Sequence, residues 1–179
     1  MSVTRTHAHT HTHTHRYVKD KTLWACLAVM ALAEKELSTA EVAFAAIDEV
    51  HKLQYVLQIK DIPTVEGRNA ELALWRRRTD EAEGILLGAK LYYRAIDLNM
   101  RLFRWEAALK LALKHQTHVD TVLAMRARYM AGMGREEAPD SEFLKYKEGI
   151  NIDWDTIKKK IDAEIEKEAN SPGARPYQE

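Results

Sequence analysis

The residues that could do chemistry sit in three places. Between Arg5 and Arg16, five histidines (His7, His9, His11, His13 and His15) recur at every second position, separated by Ala8 and then by threonines. Imidazoles two residues apart can chelate a divalent ion. Further on, His115, His118 and Asp120 make a His-x-x-His-x-Asp set that could serve a metal if one helix ran through it. Arg76, Arg77 and Arg78 form a basic cluster. Each has a plainer reading. Alternate histidines share a face only on a strand, and a polar tract of this kind cannot repay the entropy of ordering itself. A CA dinucleotide repeat in DNA, read in triplets, gives alternating His and Thr codons, so the tract reads as translated repeat DNA joined upstream of a genuine exon. It is expected to be disordered with or without zinc. "KHQTHVD" is expected to hold the turn between two helices, with Thr117 or His118 near a cap. Asp80, Glu81 and Glu83 follow the arginines at once, which marks a solvated face.

Composition narrows the classes. The 179 residues carry 27 basic and 27 acidic side chains, a balance that gives no general attraction to nucleic acid or an anionic membrane. Cys26 is the only cysteine, which excludes an intramolecular disulfide and a cysteine-based zinc cluster. No glycine-rich phosphate loop, nucleophile elbow or carboxylate–histidine constellation is present. The expectation is a soluble intracellular protein that is not an enzyme and uses no cofactor. One run tests this. From Leu23 to Ala33 an apolar stretch with a basic flank and an Ala-x-Ala ending has the outline of a signal peptide. It falls short of the roughly 20 apolar residues that span a bilayer. The plainer reading is a buried helix with Leu23, Trp24, Leu27, Met30 and Leu32 packed inward.

These residues need elements to position them, and the pattern is helical throughout. "STAEVAFAAIDEV" and "DEAEGILLGAKLYYRAIDLNM" each suggest a capping box, Ser38 with Glu41 and Asp80 with Glu83. "RWEAALKLALKHQTHVDTVLAM" sets Glu106 at the matching position. A second apolar helix follows each start, over Val50 to Ile59, Leu91 to Leu102 and Val119 to Met130, and another helix starts near Pro63 or Thr64. Helix pairs at a short period cannot bury their apolar faces alone and stack into one core. The fold class is therefore all-α: a short α-solenoid of TPR-like helix pairs over residues 17–131, between a disordered segment over 1–16 and a loop over 132–142, with a plain helical bundle of similar helices as the other reading. An exposed end at Trp24 and Leu27 makes self-association an expectation.

A separate amphipathic helix is expected within 143–169, before a disordered tail over 170–179. Asp153 is its N-cap, and Ile152 can staple onto Ile157. Trp154, Ile157, Ile161 and Ile165 fall on one face, with Lys158–Asp162 and Lys160–Glu164 as surface pairs worth a few tenths of a kcal/mol each. A stripe this narrow fits a partner helix, so these four residues are the candidate partner-binding site. The other reading is a helix that folds back as a cap on the array.

"AEVAFAAIDEVHKLQYV", "DEAEGILLGAKLYYRAI", "WEAALKLALKHQTHVDTVLAMR" and "EGINIDWDTIKKKI" resemble, in this order, the C-terminal helical region of the intraflagellar transport protein 80 family, roughly from Tyr17 to Lys167. The resemblance implies a non-catalytic scaffold subunit, or a fragment of one, of intraflagellar transport complex B. It implies other complex B subunits as partners, and the cilium or flagellum, basal body and cytoplasm as location. Members of the family carry WD-repeat propellers ahead of this region, and the sequence has none. The alternative is a small secreted or metal-responsive helical protein that uses its histidine tract. Neither reading calls for nucleic acid or membrane insertion.

Overall fold

A computed structural model describes residues 20–138, 141–147 and 152–175. The described residues form ten helices and no strand: α1 Lys21–Ala33, α2 Leu37–Ala46, α3 Val50–Lys60, α4 Val65–Trp75, α5 Thr79–Gly88, α6 Tyr92–Arg101, α7 Trp105–His115, α8 Val119–Gly132, α9 Glu142–Lys147 and α10 Trp154–Ala169. The segments 1–16 and 176–179 lie outside the described residues. Consecutive helices pack in pairs, most extensively α1 with α2, α4 with α5 and α6 with α7. The fold is the all-α, TPR-like arrangement the sequence implies.

One turn is used again and again. After α1, Glu36 N–H donates to Ala31 O at 2.8 Å and Lys35 N–H to Leu32 O at 3.4 Å, which is the Schellman pattern. The same two bonds close α2, α4, α5, α6 and α7. The residue that turns the chain is never glycine at these six places. Lys35, Asp48, Arg77, Lys90, Phe103 and Gln116 all have φ between 52° and 64°. After five of these turns the third residue enters the next helix with ψ between 61° and 81° and no side-chain cap.

The turn corrects two expectations. It starts α2 and α5 one residue before Ser38 and Asp80, so neither residue caps, and no capping box forms. Ser38 and Glu41 instead receive Lys60 Nζ of α3, at 3.4 and 2.7 Å, and Glu83 accepts from Asn99 Nδ2 of α6 at 3.1 Å. The repeat phase also shifts. Odd helices begin at 21, 50, 79 and 105 and even ones at 37, 65, 92 and 119, a period of 26 to 29 residues. Glu41 belongs to an even helix, Glu83 and Glu106 to odd ones, so the sequence alignment on these glutamates mixed the two.

The chain divides into two compact units, Met1–Pro63 with Arg175–Glu179, and Thr64–Ala174. In the first, Ala28, Ala31 and Leu32 of α1 face Leu37, Ala40, Ala43 and Phe44 of α2. Alanine lets the two backbones approach, with Leu32, Leu37 and Phe44 filling the rest of the contact. Leu23 is 53% exposed and Met30 66%, not buried as the periodicity suggested. In the second unit, Ala70, Ala73, Ala82, Leu86, Ala95 and Leu98 form one core cluster. A second gathers Ile96, Leu109, Val122, Leu123 and Phe143, with Ile152 packed against it.

Candidate partner-binding site

Helix α10 begins where the sequence placed it. Asp153 accepts N–H groups from Asp155 at 3.2 Å and Thr156 at 3.3 Å. The helix then folds back onto the second unit. Ile157 is 1% exposed and Ile161 partly buried, whereas Trp154 is 44% and Ile165 51% exposed. The structure therefore divides the predicted stripe, since a 16-residue helix presents Ile157 about 60° away from Trp154 at 100° per residue. Ile157 is taken by the array; Trp154 and Ile165 are the open positions.

What holds α10 was not legible as a site. Glu168, 7% exposed, accepts from Arg94 Nε and from Thr64 Oγ1, each at 2.5 Å. Thr64 is itself the N-cap of α4, accepting the Gly67 N–H at 3.3 Å. At the other end Lys160 pairs with Asp120 in the first turn of α8. The expected Lys160–Glu164 pair is replaced because this side of α10 faces α8. Hydrogen bonds from Lys160 and the Thr121 N–H outweigh burial and hold the Asp120 carboxyl below its usual range. Glu168 stands eleven residues after Ile157, on the same helical face, and that spacing was the available signal.

Trp154 forms one wall of an open trough. Ala124, Ala127 and Ala131 of α8 line it together with Ile152, and the Arg128 guanidinium stands 5.9 Å from the Trp154 ring centre. A second apolar surface lies where Phe103, 61% exposed, meets Tyr129 at 5.2 Å, and Tyr129 meets Trp105 at 5.3 Å. Arg126 sits over Trp105, Tyr129 and Phe143 and is anchored by Glu137.

The candidate metal set does not assemble. His115 ends α7 and stacks on Tyr92 at 3.9 Å. His118 lies beyond the turn in a left-handed conformation, its Nδ1 3.2 Å from Thr121 Oγ1. Burial lowers its pKa, against Glu164 and Asp120, which raise it. Burial also pushes the neighbouring Tyr93 up to about 12. Among the described residues no group of three His, Cys, Asp or Glu could hold a metal. The tract from His7 to His15 lies outside the described residues. Arg76, Arg77 and Arg78 make the α4–α5 turn, Arg78 pairing with Glu81 at 3.2 Å. The apolar run from Leu23 to Ala33 is α1, and no helix among the described residues is long and apolar enough to cross a membrane.

Comparison with known proteins agrees with this geometry. Residues 23–170 match the family model described as the IFT80/172/WDR35/WDR19 TPR domain. The rat protein called intraflagellar transport protein 80 homolog is 47% identical over 153 residues, 86% of this chain and 20% of its own length. The mouse protein of the same name is 46% identical over the same span. The chain thus covers about a fifth of these relatives. No solved structure matches it. With its helix pairs matched almost end to end, the chain belongs to the IFT80/172/WDR35/WDR19 TPR-domain family.

Proposed function

We propose that the chain is a non-catalytic scaffold piece of intraflagellar transport complex B, acting in ciliary train assembly and in formation of the cilium. The observation that carries this is the family match over residues 23–170, joined to close relatives named for intraflagellar transport. The location that follows is the cilium or flagellum, with the basal body and cytoplasm as sites of assembly. Its partners are other complex B subunits. The contact runs over the outward side of α10, through Trp154, Ile161 and Ile165, with Ile157 beneath them fixing the helix to the array. A large aromatic anchor such as Trp154 is the residue type that most often carries binding energy at interfaces. Self-association through the α1 end at Trp24 and Leu27, both partly buried and flanked by the exposed Leu23 and Met30, is part of the same reading.

The test is a tagged chain expressed in ciliated cells, alone and as Trp154→Ala with Ile165→Ala. The unmodified chain should enter cilia and co-purify with complex B subunits, and the double variant should lose co-purification while its thermal midpoint falls by only a few degrees. Full co-purification by the double variant would remove α10 as the contact. Absence of the unmodified chain from both cilia and complex B would remove the scaffold reading.

A further inference from the structure

Three arginines lead into one hydroxyl at the α4–α5 turn. Arg76, Arg77 and Arg78 are all exposed and stand directly ahead of Thr79, the partly buried first residue of α5. Of all the serines and threonines in the sequence, Thr79 alone has arginines both two and three positions before it. Protein kinases with carboxylate-lined substrate clefts select hydroxyls by this pattern of charge, since each guanidinium can pair with a carboxylate of the enzyme.

A second group stands over the same hydroxyl. Thr79 Oγ1 accepts from Arg104 Nη2 at 2.9 Å and donates towards the Asp80 carboxylate at 3.4 Å, and Arg104 Nη1 pairs with that carboxylate at 3.0 Å. Arg104 is the residue before α7, so it reaches Thr79 from the α6–α7 turn of the next helix pair. Its present partner is weak, because Asp80 is 91% exposed and fully hydrated. Arg78 lies alongside, paired with the exposed Glu81 at 3.2 Å. A phosphate on Thr79 carries about −1.5 to −2 charges at pH 7 and three strong acceptor oxygens, two of which a planar guanidinium can meet at once.

Helix α5 is built to yield this segment to an enzyme. It has ten residues, including Gly84 and Gly88, and buries only Ala82 and Leu86. Arg78 at its N-cap makes no side-chain cap bond. Glycines and a missing cap both weaken a helix, so its first turn opens well before the unit unfolds.

We infer that Thr79 is a phosphorylation site for an arginine-directed protein kinase, and that Arg104 receives the phosphate and so ties the α4–α5 turn to the α6–α7 turn. In the transfer, Thr79 Oγ1 bonds to the γ-phosphorus of ATP and the bond from that phosphorus to the β,γ-bridging oxygen breaks. ADP leaves, and the hydroxyl proton passes to the catalytic carboxylate of the kinase. The site lies apart from α10 and is independent of the partner contact there.

The test treats the full chain with ATP and the catalytic subunit of cyclic-AMP-dependent protein kinase, and reads intact mass and fragment mapping. A peptide of residues 73–86 is the control for recognition of the bare sequence. One phosphoryl group should appear on Thr79 in both, and none on a chain carrying Thr79→Val. Arg76→Ala with Arg77→Ala should slow the transfer about tenfold or more, although the hydroxyl is still there. The phosphorylated chain should melt about 4 °C or more above the untreated one, and Arg104→Ala should abolish that rise. No transfer to Thr79 of the folded chain overturns the inference, whether or not the peptide is modified. A midpoint that stays or falls on phosphorylation, or rises equally in Arg104→Ala, overturns Arg104 as the receiver. If the double arginine variant does not fold, as judged by circular dichroism, Arg77→Gln alone is read by the same criterion.

Discussion

The divided stripe of α10 gives a controlled experiment, because the same substitution can be made at Ile157 and Ile165 of one helix. Ile157 is 1% exposed and Ile165 51%. Replacing either with alanine removes three carbons and gains the same few tenths of a kcal/mol in helix propensity, so intrinsic helix formation cancels. At Ile157 the transfer loss is about 0.8 kcal/mol per carbon, or roughly 2.4 in all. The cavity left beside the α8 packing raises this to about 3 kcal/mol. At Ile165 half of the side chain is already wet, and the cost should stay at about 1 kcal/mol or less. For a unit of this size each kcal/mol moves the thermal midpoint by about 4 °C. Ile157→Ala should therefore melt roughly 10 °C below the unmodified chain and Ile165→Ala within about 4 °C of it. Urea unfolding followed by far-ultraviolet circular dichroism gives the free energies directly. If the two variants differ by less than about 1 kcal/mol, α10 is not seated through Ile157 and the division of the stripe is wrong.

Two further expectations concern the turns. Lys90 holds φ at 60° on an exposed Schellman turn, where a side chain costs about 1–2 kcal/mol and glycine does not. Glycine's extra unfolded-state entropy offsets part of this, so Lys90→Gly should stabilise by up to about 1 kcal/mol; a loss greater than about 0.5 in urea titration would refute the strain. His118 has its pKa lowered from 6.5 by burial, so the folded state binds fewer protons than the unfolded one. Its contribution is then fully present above pH 6.5 and is lost as pH falls towards the folded value. Unfolding free energy measured from pH 7.5 to 5 should drop, and the drop should shrink in His118→Gln; identical profiles would exclude His118 as the cause.

Several features of the protein follow from its sequence alone. Alanine-rich apolar periods separated by three- or four-residue breaks force helices, and helices this short must pair to bury their faces. The starts at Val50, near Thr64 and at Val119, and the Asp153 cap, were legible because apolar period and cap chemistry are local. The phase of the repeat was not, because the turns use lysine, aspartate, arginine, phenylalanine and glutamine where glycine would have announced them. Ser38, Glu41 and Glu83 carried cap-like spacing yet serve between helices, a choice made by Lys60 and Asn99 from elsewhere in the chain. The candidate site shows the same boundary. Sequence periodicity put Trp154, Ile157, Ile161 and Ile165 together on one side of a helix, since period 3.6 is a property of the helix itself. Which edge of that side is buried depends on where the helix lands. Arg94, Thr64 and Asp120, at least 40 residues from their partners in sequence, set that landing by meeting Glu168 and Lys160 across space. No local pattern encodes such a meeting, because the partners become neighbours only after the repeats have stacked.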